Sequence, residues 1–228
     1  MTTMPMPIEP LTDPLPTEPL ERAAQWLAES WRLGAELNPN AMALATSTAG
    51  GTPSVRIVLC KQIAARPGYV VFYTNYHSRK GRELTANPRA AAVLHFDPLQ
   101  CQVRIEGLVE RSPAEESDAY YASRALESRI GAWASAQSEP IDSRERLAAQ
   151  VADAARRLGV QASDAPARAI AIPRPPHWGG YRLWAEAVEL WVQGPARIHD
   201  RARWTRELRR LETGTFAGSA WSVTRLQP

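Results

Sequence analysis

Short apolar runs separated by tight turn signals recur along this chain and limit the folds open to it. Most runs are rich in β-branched or aromatic residues, and clusters of Gly, Pro, Asn or Asp stand between many of them. We predict strands at Ala41–Thr46, Ser54–Gln62, Tyr69–Asn75, Ala90–Phe96, Gln100–Val109, Gly180–Trp191, Ala196–Trp204 and Ser219–Leu226. Many short strands joined by tight turns favour a β-barrel with helices at its periphery.

Four stretches have helical periodicity and lie before, between or after the strands. They are Pro19–Leu37, Ser78–Asn87, Pro113–Arg124 and Ile141–Gly159. The last stretch has Asp142 or Ser143 as a candidate N-cap and Gly159 as a candidate stop. The fold class expected from strands and helices together is α+β.

The domain organisation follows from where periodicity is absent. Residues 1–19 are rich in proline and aperiodic, which predicts a flexible N-terminal arm. Residues 20–228 show no internal repeat and no second boundary, so we predict one domain there. Ala162–Pro176, rich in Pro and Ala, is expected to be a connector.

Composition argues against several classes of function. The net charge is only +3 and charges of both signs are interleaved, so no nucleic-acid partner is indicated. The two cysteines, Cys60 and Cys101, lie in apolar runs, which fits a reducing compartment better than a disulfide framework. Neither a signal-peptide core nor an apolar run of membrane-spanning length is visible, so we expect a soluble, cytoplasmic protein. We assign no metal ligand.

A basic run, Arg197-Ile198-His199-Asp200-Arg201, follows a Gly-Pro turn signal near the C-terminus. In an extended strand its two arginines and its histidine would share one face. Two guanidiniums beside an imidazole suit an anionic ligand, because arginine matches phosphate oxygens and histidine exchanges a proton near neutral pH. The alternative is a solvated edge strand with its own salt bridges.

A second basic group stands where a helix is predicted to begin, at Ser78, Arg79 and Lys80. A helix N-terminus presents unpaired N–H groups and partial positive charge. Two cations in that turn are locally unfavourable, which favours a bound anion such as phosphate. The alternative is a capped surface helix whose basic residues face water.

Three further sets of residues are weaker candidates. Arg56 and Lys61 stand in an otherwise apolar strand, where each needs a partner or a place at the strand end. Tyr120, Arg124 and Ser128 are spaced by four and would share one helix face that could hold a phosphate. Amide and hydroxyl groups that could bond a polar heterocycle are those of Gln102, Gln137 and Ser138.

Taken together, these residues resemble the pyridoxine (pyridoxamine) 5′-phosphate oxidase family from about Pro19 to the C-terminus. The matching segments are Arg56–Lys61, Phe72–Asn75, Ser78–Lys80, Tyr120-x3-Arg124-x3-Ser128, Ile130–Trp133, Gln137-Ser138, Trp178–Tyr181, Glu189–Trp191 and Arg197–Arg201. The resemblance implies a split β-barrel homodimer that binds FMN non-covalently at the subunit interface.

The resemblance also implies roles for individual residues. Those that would contact FMN are Arg56, Ile57, Val58, Leu59, Lys61, Tyr73, Thr74, Arg79, Lys80, Gln102, Gln137, Ser138, Trp191 and Arg201. Those that would hold the substrate are Lys61, Tyr120, Arg124, Ser128, Arg197 and His199. Arg197 and His199 would be the catalytic pair, with Arg197 orienting and stabilising charge because it stays protonated.

The implied reaction is oxidation of pyridoxamine 5′-phosphate or pyridoxine 5′-phosphate to pyridoxal 5′-phosphate, with O2 consumed and H2O2 released. A related phenazine-pathway flavin oxidase and a non-catalytic flavin- or pyridoxal-phosphate-binding protein remain open as alternatives. Two features depart from the family pattern. Residues 1–19 lack the Arg-x-x-Tyr segment that closes over the substrate in many members, and the Arg-rich segment 205–219 reads as a surface elaboration.

Overall fold

The computed structural model describes residues 9–160, 170–212 and 214–228. Its helices are α1 (Pro19–Leu33), α2 (Arg79–Ala86), α3 (Ala114–Ser123), α4 (Leu126–Ala134) and α5 (Arg144–Arg157). Its strands are β1 (Ala41–Ser47), β2 (Pro53–Leu59), β3 (Gln62–Ala64), β4 (Tyr69–Asn75), β5 (Arg89–Phe96), β6 (Cys101–Arg111), β7 (Trp178–Val192), β8 (Asp200–Thr205), β9 (Leu208–Arg210), β10 (Phe216–Gly218) and β11 (Ser222–Leu226). Within the described residues, no helix has the length and apolar character that a membrane span requires.

The strand β7 organises a nine-stranded antiparallel sheet. The order across the sheet is β11-β8-β7-β6-β5-β1-β2, and β4 pairs with the first half of β7 on the side that β8 occupies farther along. The sheet curls, so that the Lys61 amide after β2 donates to the Val71 carbonyl of β4 at 2.7 Å. This curled sheet with helices around it confirms the predicted α+β split barrel.

The core lies inside the curl, on one face of each strand. Inward positions of β1, β5 and β6 alternate with more exposed ones, as period-two side chains require. Met42, Leu44, Leu94 and Ile105 are fully buried there. Each such side chain contributes about 1.5–3 kcal/mol relative to full exposure. A second, smaller core joins the three later helices to the start of β7 through Tyr121, Leu126, Ile130, Ala154 and Trp178.

The ends of several elements differ from the sequence prediction for local reasons. The first helix ends at Leu33 rather than Leu37, because Gly34 takes the left-handed conformation (φ 63°) that closes a helix. The predicted strand Ser54–Gln62 ends at Leu59, and its last predicted residue, Gln62, begins a separate short strand, Gln62–Ala64, that pairs with β4. Lys61 therefore lies between two strands and is exposed.

The predicted N-terminal arm and the predicted surface elaboration at 205–219 both make defined contacts where they are described. Within the latter segment Leu208–Arg210 pairs with Phe216–Gly218 as the β9–β10 hairpin, and the Phe216 ring packs 5.7 Å from that of Trp184. Of the predicted arm, residues 1–8 lie outside the described residues. Leu11 is buried in the main core, and Pro16 accepts a hydrogen bond from the Trp204 indole at 2.8 Å. Mobility of the arm stays a prediction, as does the single domain.

Candidate functional site

A cleft of ≈ 490 Å³ lies between β2, β4, the start of α2 and the loop after α4. We name it the basic cleft. Nine of the predicted cofactor contacts line it: Arg56, Ile57, Val58, Tyr73, Thr74, Arg79, Lys80, Gln137 and Ser138, together with Ser54 and Val55. The strand–turn–helix run and the loop at Gln137 are far apart in sequence, and the fold brings them to one place.

The local structure explains why Lys80 enters the cleft. Ser78 caps α2 by accepting from the Gly81 amide, and its hydroxyl donates to the Asn75 carbonyl at 2.7 Å. Lys80 is 8% exposed, and its Nζ donates to Gln137 Oε1 at 2.8 Å and to Thr74 Oγ1 at 2.9 Å. Burial, with the nearby Arg56 charge, lowers the pKa of Lys80 to about 8. A bound anion would offset both causes, so the cleft is suited to one.

The partner that Arg56 needs is a residue that sequence reasoning missed. Arg56 Nη2 lies 3.3 Å from a carboxylate oxygen of Glu83, and its Nη1 donates to Thr46 Oγ1 at 2.6 Å. Arg79 Nε pairs with the same carboxylate at 2.9 Å. The i, i+4 spacing of Arg79 and Glu83 was the available signal, because such pairs meet on one helix face.

An aromatic stack adjoins the basic cleft. The Tyr73 ring, which lines the cleft, lies 4.0 Å from the Tyr120 ring and 5.6 Å from the Trp178 ring, with nearly parallel planes. Gly180 makes this approach possible, since a Cβ there would lie 2.9 Å from the Tyr73 ring and 2.6 Å from Ser112 Oγ. The glycines of the Trp178–Tyr181 segment therefore have a packing role beside the site.

A second cationic position adjoins this stack. The Arg124 guanidinium lies 4.6 Å from the Trp178 ring, and Lys61 Nζ lies 5.7 Å from the Tyr120 ring. Arg124 Nη1 is buried and has no hydrogen-bond partner among the described residues. Burial also lowers the pKa of Arg124, which means that its charge lacks full compensation. An anion bound at Arg124 would supply the missing compensation.

The prediction that Tyr120, Arg124 and Ser128 share one helix face is wrong. Helix α3 ends at Ser123, Arg124 is extended (ψ 153°), and Ser128 lies exposed on α4. Across this break the Tyr121 hydroxyl donates to the Arg129 carbonyl at 2.8 Å and so ties the end of α3 to α4. Tyr120 and Arg124 still meet, through the aromatic stack, whereas a substrate contact for Ser128 stays a prediction.

The remaining predicted contacts form a separate group on β6, β7 and β8. Gln102 pairs with Trp191 and Trp191 with Arg201, so the three side chains project from one face of the sheet. The His199 ring lies 4.6 Å from that of Trp191. Arg201 is fixed by Glu189 at 2.8 Å, and Glu189 is 4% exposed. We name Gln102, Trp191, His199 and Arg201 the tryptophan row.

The prediction of an extended strand from Ala196 is also wrong. Pro195–Arg197 is a tight 3-10 turn in which Ala196 (φ 50°) and Arg197 (φ 64°) are left-handed, and β8 begins only at Asp200. The turn closes through Ile198 N–H to the Pro195 carbonyl at 2.9 Å. Gly194 is required, because a Cβ there would collide with the Ile198 carbonyl. Arg197 is exposed on this turn, so the loop and not strand alternation sets its position.

Within one chain the basic cleft and the tryptophan row are separate. Thr74 of the cleft pairs with Gly179, and Trp191 stands twelve residues farther along β7, about 40 Å at the usual rise of a strand. Leu59 and Lys61, the last of the predicted cofactor contacts, follow the cleft residues of β2 without lining the cleft. The geometry thus divides the predicted contacts into two groups.

Lysine usage supports the assignment of the two cationic positions. The chain has 27 basic residues, and all but Lys61 and Lys80 are arginines. One lysine lies in the basic cleft and the other beside the aromatic stack. Because every other basic residue is arginine, the two lysines could have marked these positions as functional from the sequence.

Two family models match the chain, one over residues 33–157 described as pyridoxamine 5′-phosphate oxidase, and one over residues 178–228 described as the pyridoxine 5′-phosphate oxidase C-terminal dimerisation region. Curated relatives include the pyridoxine/pyridoxamine 5′-phosphate oxidase of Burkholderia lata, 48% identical over 92% of this chain and 89% of the relative. The protein of the same name from Paracoccus denitrificans is 46% identical over 92% of this chain and 95% of the relative.

Solved structures give the same family. PhzG from Burkholderia lata 383, in complex with tetrahydrophenazine-1-carboxylic acid, is 33% identical, with a TM-score of 0.79 and 95% of each chain covered. A pyridoxamine 5′-phosphate oxidase-related, FMN-binding protein from Nostoc punctiforme shares the fold at 16% identity, with a TM-score of 0.64 over 91% of this chain and 96% of that one. The chain therefore belongs to the pyridoxamine 5′-phosphate oxidase family.

Proposed function

We propose that this protein is an FMN-dependent oxidase that converts pyridoxamine 5′-phosphate and pyridoxine 5′-phosphate to pyridoxal 5′-phosphate, with O2 as acceptor and H2O2 as product. One observation carries the proposal: two cationic positions flank the same aromatic ring, Tyr73. Arg79 and Lys80 line the cleft with it, whereas Lys61 lies against the Tyr120 ring and Arg124 against the Trp178 ring, the two rings that stack on Tyr73. Two anion sites one stack apart suit a phosphorylated cofactor beside a phosphorylated substrate.

The residues of the basic cleft fit the FMN phosphate. The start of α2 offers backbone N–H groups and a positive dipole end, and Arg79 and Lys80 add two charges. The Gln137 amide and the Thr74 hydroxyl are already ordered by Lys80 and provide polar groups for the rest of the cofactor. FMN bound here would supply the electron acceptor that no side chain of this protein can provide.

The tryptophan row completes the site from a second copy of the chain in this proposal. The row lies too far along β7 to reach the basic cleft of its own chain. Val55 and Ile57 on the outer face of β2 are 70% and 64% exposed, which is unusual for large apolar strand residues beside a site. The family description of residues 178–228 as a dimerisation region supports a homodimer.

In the substrate position, the chain binds, orients and stabilises charge. Lys61 and Arg124 would hold the phosphate, and each charge-assisted hydrogen bond contributes roughly 1.5–3 kcal/mol. Arg197 remains protonated and would orient the ring and stabilise negative charge on it. Gly194 N–H donates to His199 Nδ1 at 3.3 Å, which leaves the proton of the neutral ring on Nε2. His199 is therefore set up to donate a hydrogen bond to the substrate.

A PhzG-like oxidase is the second candidate, because that structure is 33% identical and covers 95% of this chain. The buried Arg124 Nη1, which has no hydrogen-bond partner among the described residues, favours a phosphorylated substrate instead. A non-catalytic flavin- or pyridoxal-phosphate-binding protein would keep both anion sites and lack turnover.

The test is an assay of purified protein with FMN. We expect a yellow protein that produces stoichiometric H2O2 and pyridoxal 5′-phosphate from pyridoxamine 5′-phosphate, and none from unphosphorylated pyridoxamine at the same concentration. A protein that stays colourless with added FMN contradicts the cofactor. A yellow protein that makes no peroxide from either vitamer phosphate contradicts the substrate and favours the second candidate or a binding protein.

A further inference from the structure

Glu83 is the residue to which the cationic side of the basic cleft is attached. It lies on α2, is 5% exposed, and accepts four hydrogen bonds. Oε2 accepts from the hydroxyls of Thr46 at 2.5 Å and Ser54 at 2.6 Å and from Arg56 at 3.3 Å. Oε1 accepts from Arg79 Nε at 2.9 Å.

We propose that Glu83 is a positioning residue that holds Arg56 and Arg79 in place for a phosphate dianion and matches the charge of the cleft to it. This inference rests on the proposed function, because the phosphate concerned is that of FMN. The family resemblance did not assign Glu83 any role.

The geometry goes beyond an ordinary buried ion pair. The groups that meet on Glu83 come from three elements: Thr46 from β1, Ser54 and Arg56 from β2, and Arg79 from α2. One carboxylate therefore fixes the strand wall of the cleft relative to its helix wall. Because Arg79 is bonded through Nε, both of its Nη groups stay available, and the side chain is 56% exposed toward solvent.

The charge count points to the same role. Arg56, Arg79 and Lys80 bring three positive charges to the cleft, and Glu83 leaves two of them uncompensated. A phosphate monoester carries about −1.5 to −2 at pH 7. Burial alone would raise the pKa of Glu83, but the hydrogen bonds from Ser54, Thr46, Arg79 and Arg56 outweigh it and lower the pKa to about 2. The carboxylate is therefore charged at every pH at which the enzyme would work.

Two substitutions separate position from charge. Glu83→Gln keeps the shape and removes the charge, whereas Glu83→Asp keeps the charge and draws it back by one methylene. We expect both to weaken FMN binding by at least about tenfold, the equivalent of one charge-assisted hydrogen bond. Riboflavin, which lacks the phosphate, should bind each variant within about twofold of wild type. Quenching of flavin fluorescence measures both affinities.

The control is Glu110→Gln, which alters a carboxylate bonded to the Trp184 indole away from the cleft. It should leave both affinities unchanged. Thr46→Val and Ser54→Ala each remove a single donor to Glu83 and replace the Glu83 variants if those do not fold. Each should lower the affinity for FMN about two- to fivefold and leave the affinity for riboflavin unchanged.

Three results would overturn the proposal. FMN affinity unchanged in both Glu83 variants removes the role. Tighter FMN binding in Glu83→Gln with no change in Glu83→Asp makes the carboxylate a repulsive charge only. An equal loss of riboflavin affinity in the Glu83 variants would mean that Glu83 supports the structure in general and not the phosphate position.

Failure of the proposed function gives a different pattern. If wild type binds neither flavin, the cofactor proposal fails, and inorganic phosphate becomes the probe. A rise in Tm with phosphate in wild type that both Glu83 variants lose would still support the positioning role. The absence of any rise would overturn it as well.

Discussion

The basic cleft and the tryptophan row are both assembled from charged and aromatic side chains, but they are built in opposite ways. The cleft is enclosed within one chain: a strand, a helix start and a distant loop meet around it, and Lys80 and Glu83 have their partners in place. The row projects from the outer face of a sheet, with Arg201 fixed by Glu189 below it and only an exposed loop at its side.

This difference shows which part of a composite site one chain can complete. Buried cations need partners, because an unpaired buried charge is costly, so the cleft comes with its own counter-charge and hydroxyl groups. The row has one such pair, Arg201 with Glu189, and otherwise lies on an open sheet face where its side chains stay accessible. If the two regions belong to one site, the row must come from the second copy.

The experiment with the largest expected effect tests whether the basic cleft and the tryptophan row of one site come from two copies of the chain. Lys80→Ala and Arg197→Ala should each lower kcat/KM by more than about a hundredfold, since each removes a preorganised charge. Co-expression of the two variants should restore about a quarter of wild-type activity, because half of randomly paired dimers are hybrids and each hybrid holds one intact site. The restored activity is measured as peroxide production by the two co-expressed variants, purified together through their tags.

A matched pair controls that experiment. Lys80→Ala with Arg79→Ala places both changes in the basic cleft, so hybrid dimers contain no intact site and activity should stay lost. Recovery in this control, or none in the first mixture, would contradict a site shared between two chains.

The next effect belongs to the basic cleft alone. Since the pKa of Lys80 is lowered to about 8, the cleft loses a cation as pH rises through that value. FMN affinity should therefore fall by up to about tenfold per pH unit above 8, by linkage. Lys80→Arg should flatten the profile, because arginine stays charged. Flavin titrations from pH 7 to 9.5 measure this.

The stability of the protein without cofactor should respond to pH in the opposite sense. Between pH 8 and the ordinary lysine pKa of 10.5, Lys80 is less protonated in the folded protein than in the unfolded chain. Stability from this group therefore rises with pH in that window. Denaturant unfolding at pH 8 and 9.5 measures the sign of the change in unfolding free energy. In the flavin titrations, an FMN affinity that rises with pH would contradict the assignment of Lys80 to FMN binding.

The smallest effect concerns the loop beside the tryptophan row. Asp200, next to His199, accepts from the Leu11 amide at 2.8 Å and pairs with Arg225 at 2.7 Å. Asp200→Ala should free the loop and lower kcat about three- to tenfold, the scale of one or two net hydrogen bonds. Asp153→Ala on α5 removes a similar exposed ion pair and should leave kcat unchanged. A larger change in FMN affinity than in kcat would place Asp200 in cofactor binding instead.

Much of the fold could be predicted from the sequence because its signals are local. Alternation on β1, β5 and β6 and the Ser143 cap of α5 are short-range features, and the structure confirms them. The basic cleft could be predicted in part for the same reason, since Arg79 and Lys80 follow a strand and open a helix.

What could not be predicted depends on contacts between distant segments. Ala196 and Arg197 take left-handed backbone angles that non-glycine residues rarely adopt, and no residue type in the run signals them. The break between α3 and α4 contains neither Gly nor Pro, and the hydrogen bond across it joins Tyr121 to the Arg129 carbonyl, eight residues away. Glu83 became recognisable only when β1 and β2 were placed beside α2.

The length of β7 has a consequence for the assembly as a whole. Its first residue, Trp178, stands in the aromatic stack, and Trp191 near its other end stands in the tryptophan row. In the proposed dimer the length of this one strand therefore sets the distance between two reaction centres. Deleting or inserting a single residue in it would reverse the facing of every side chain beyond that point and shift both centres at once.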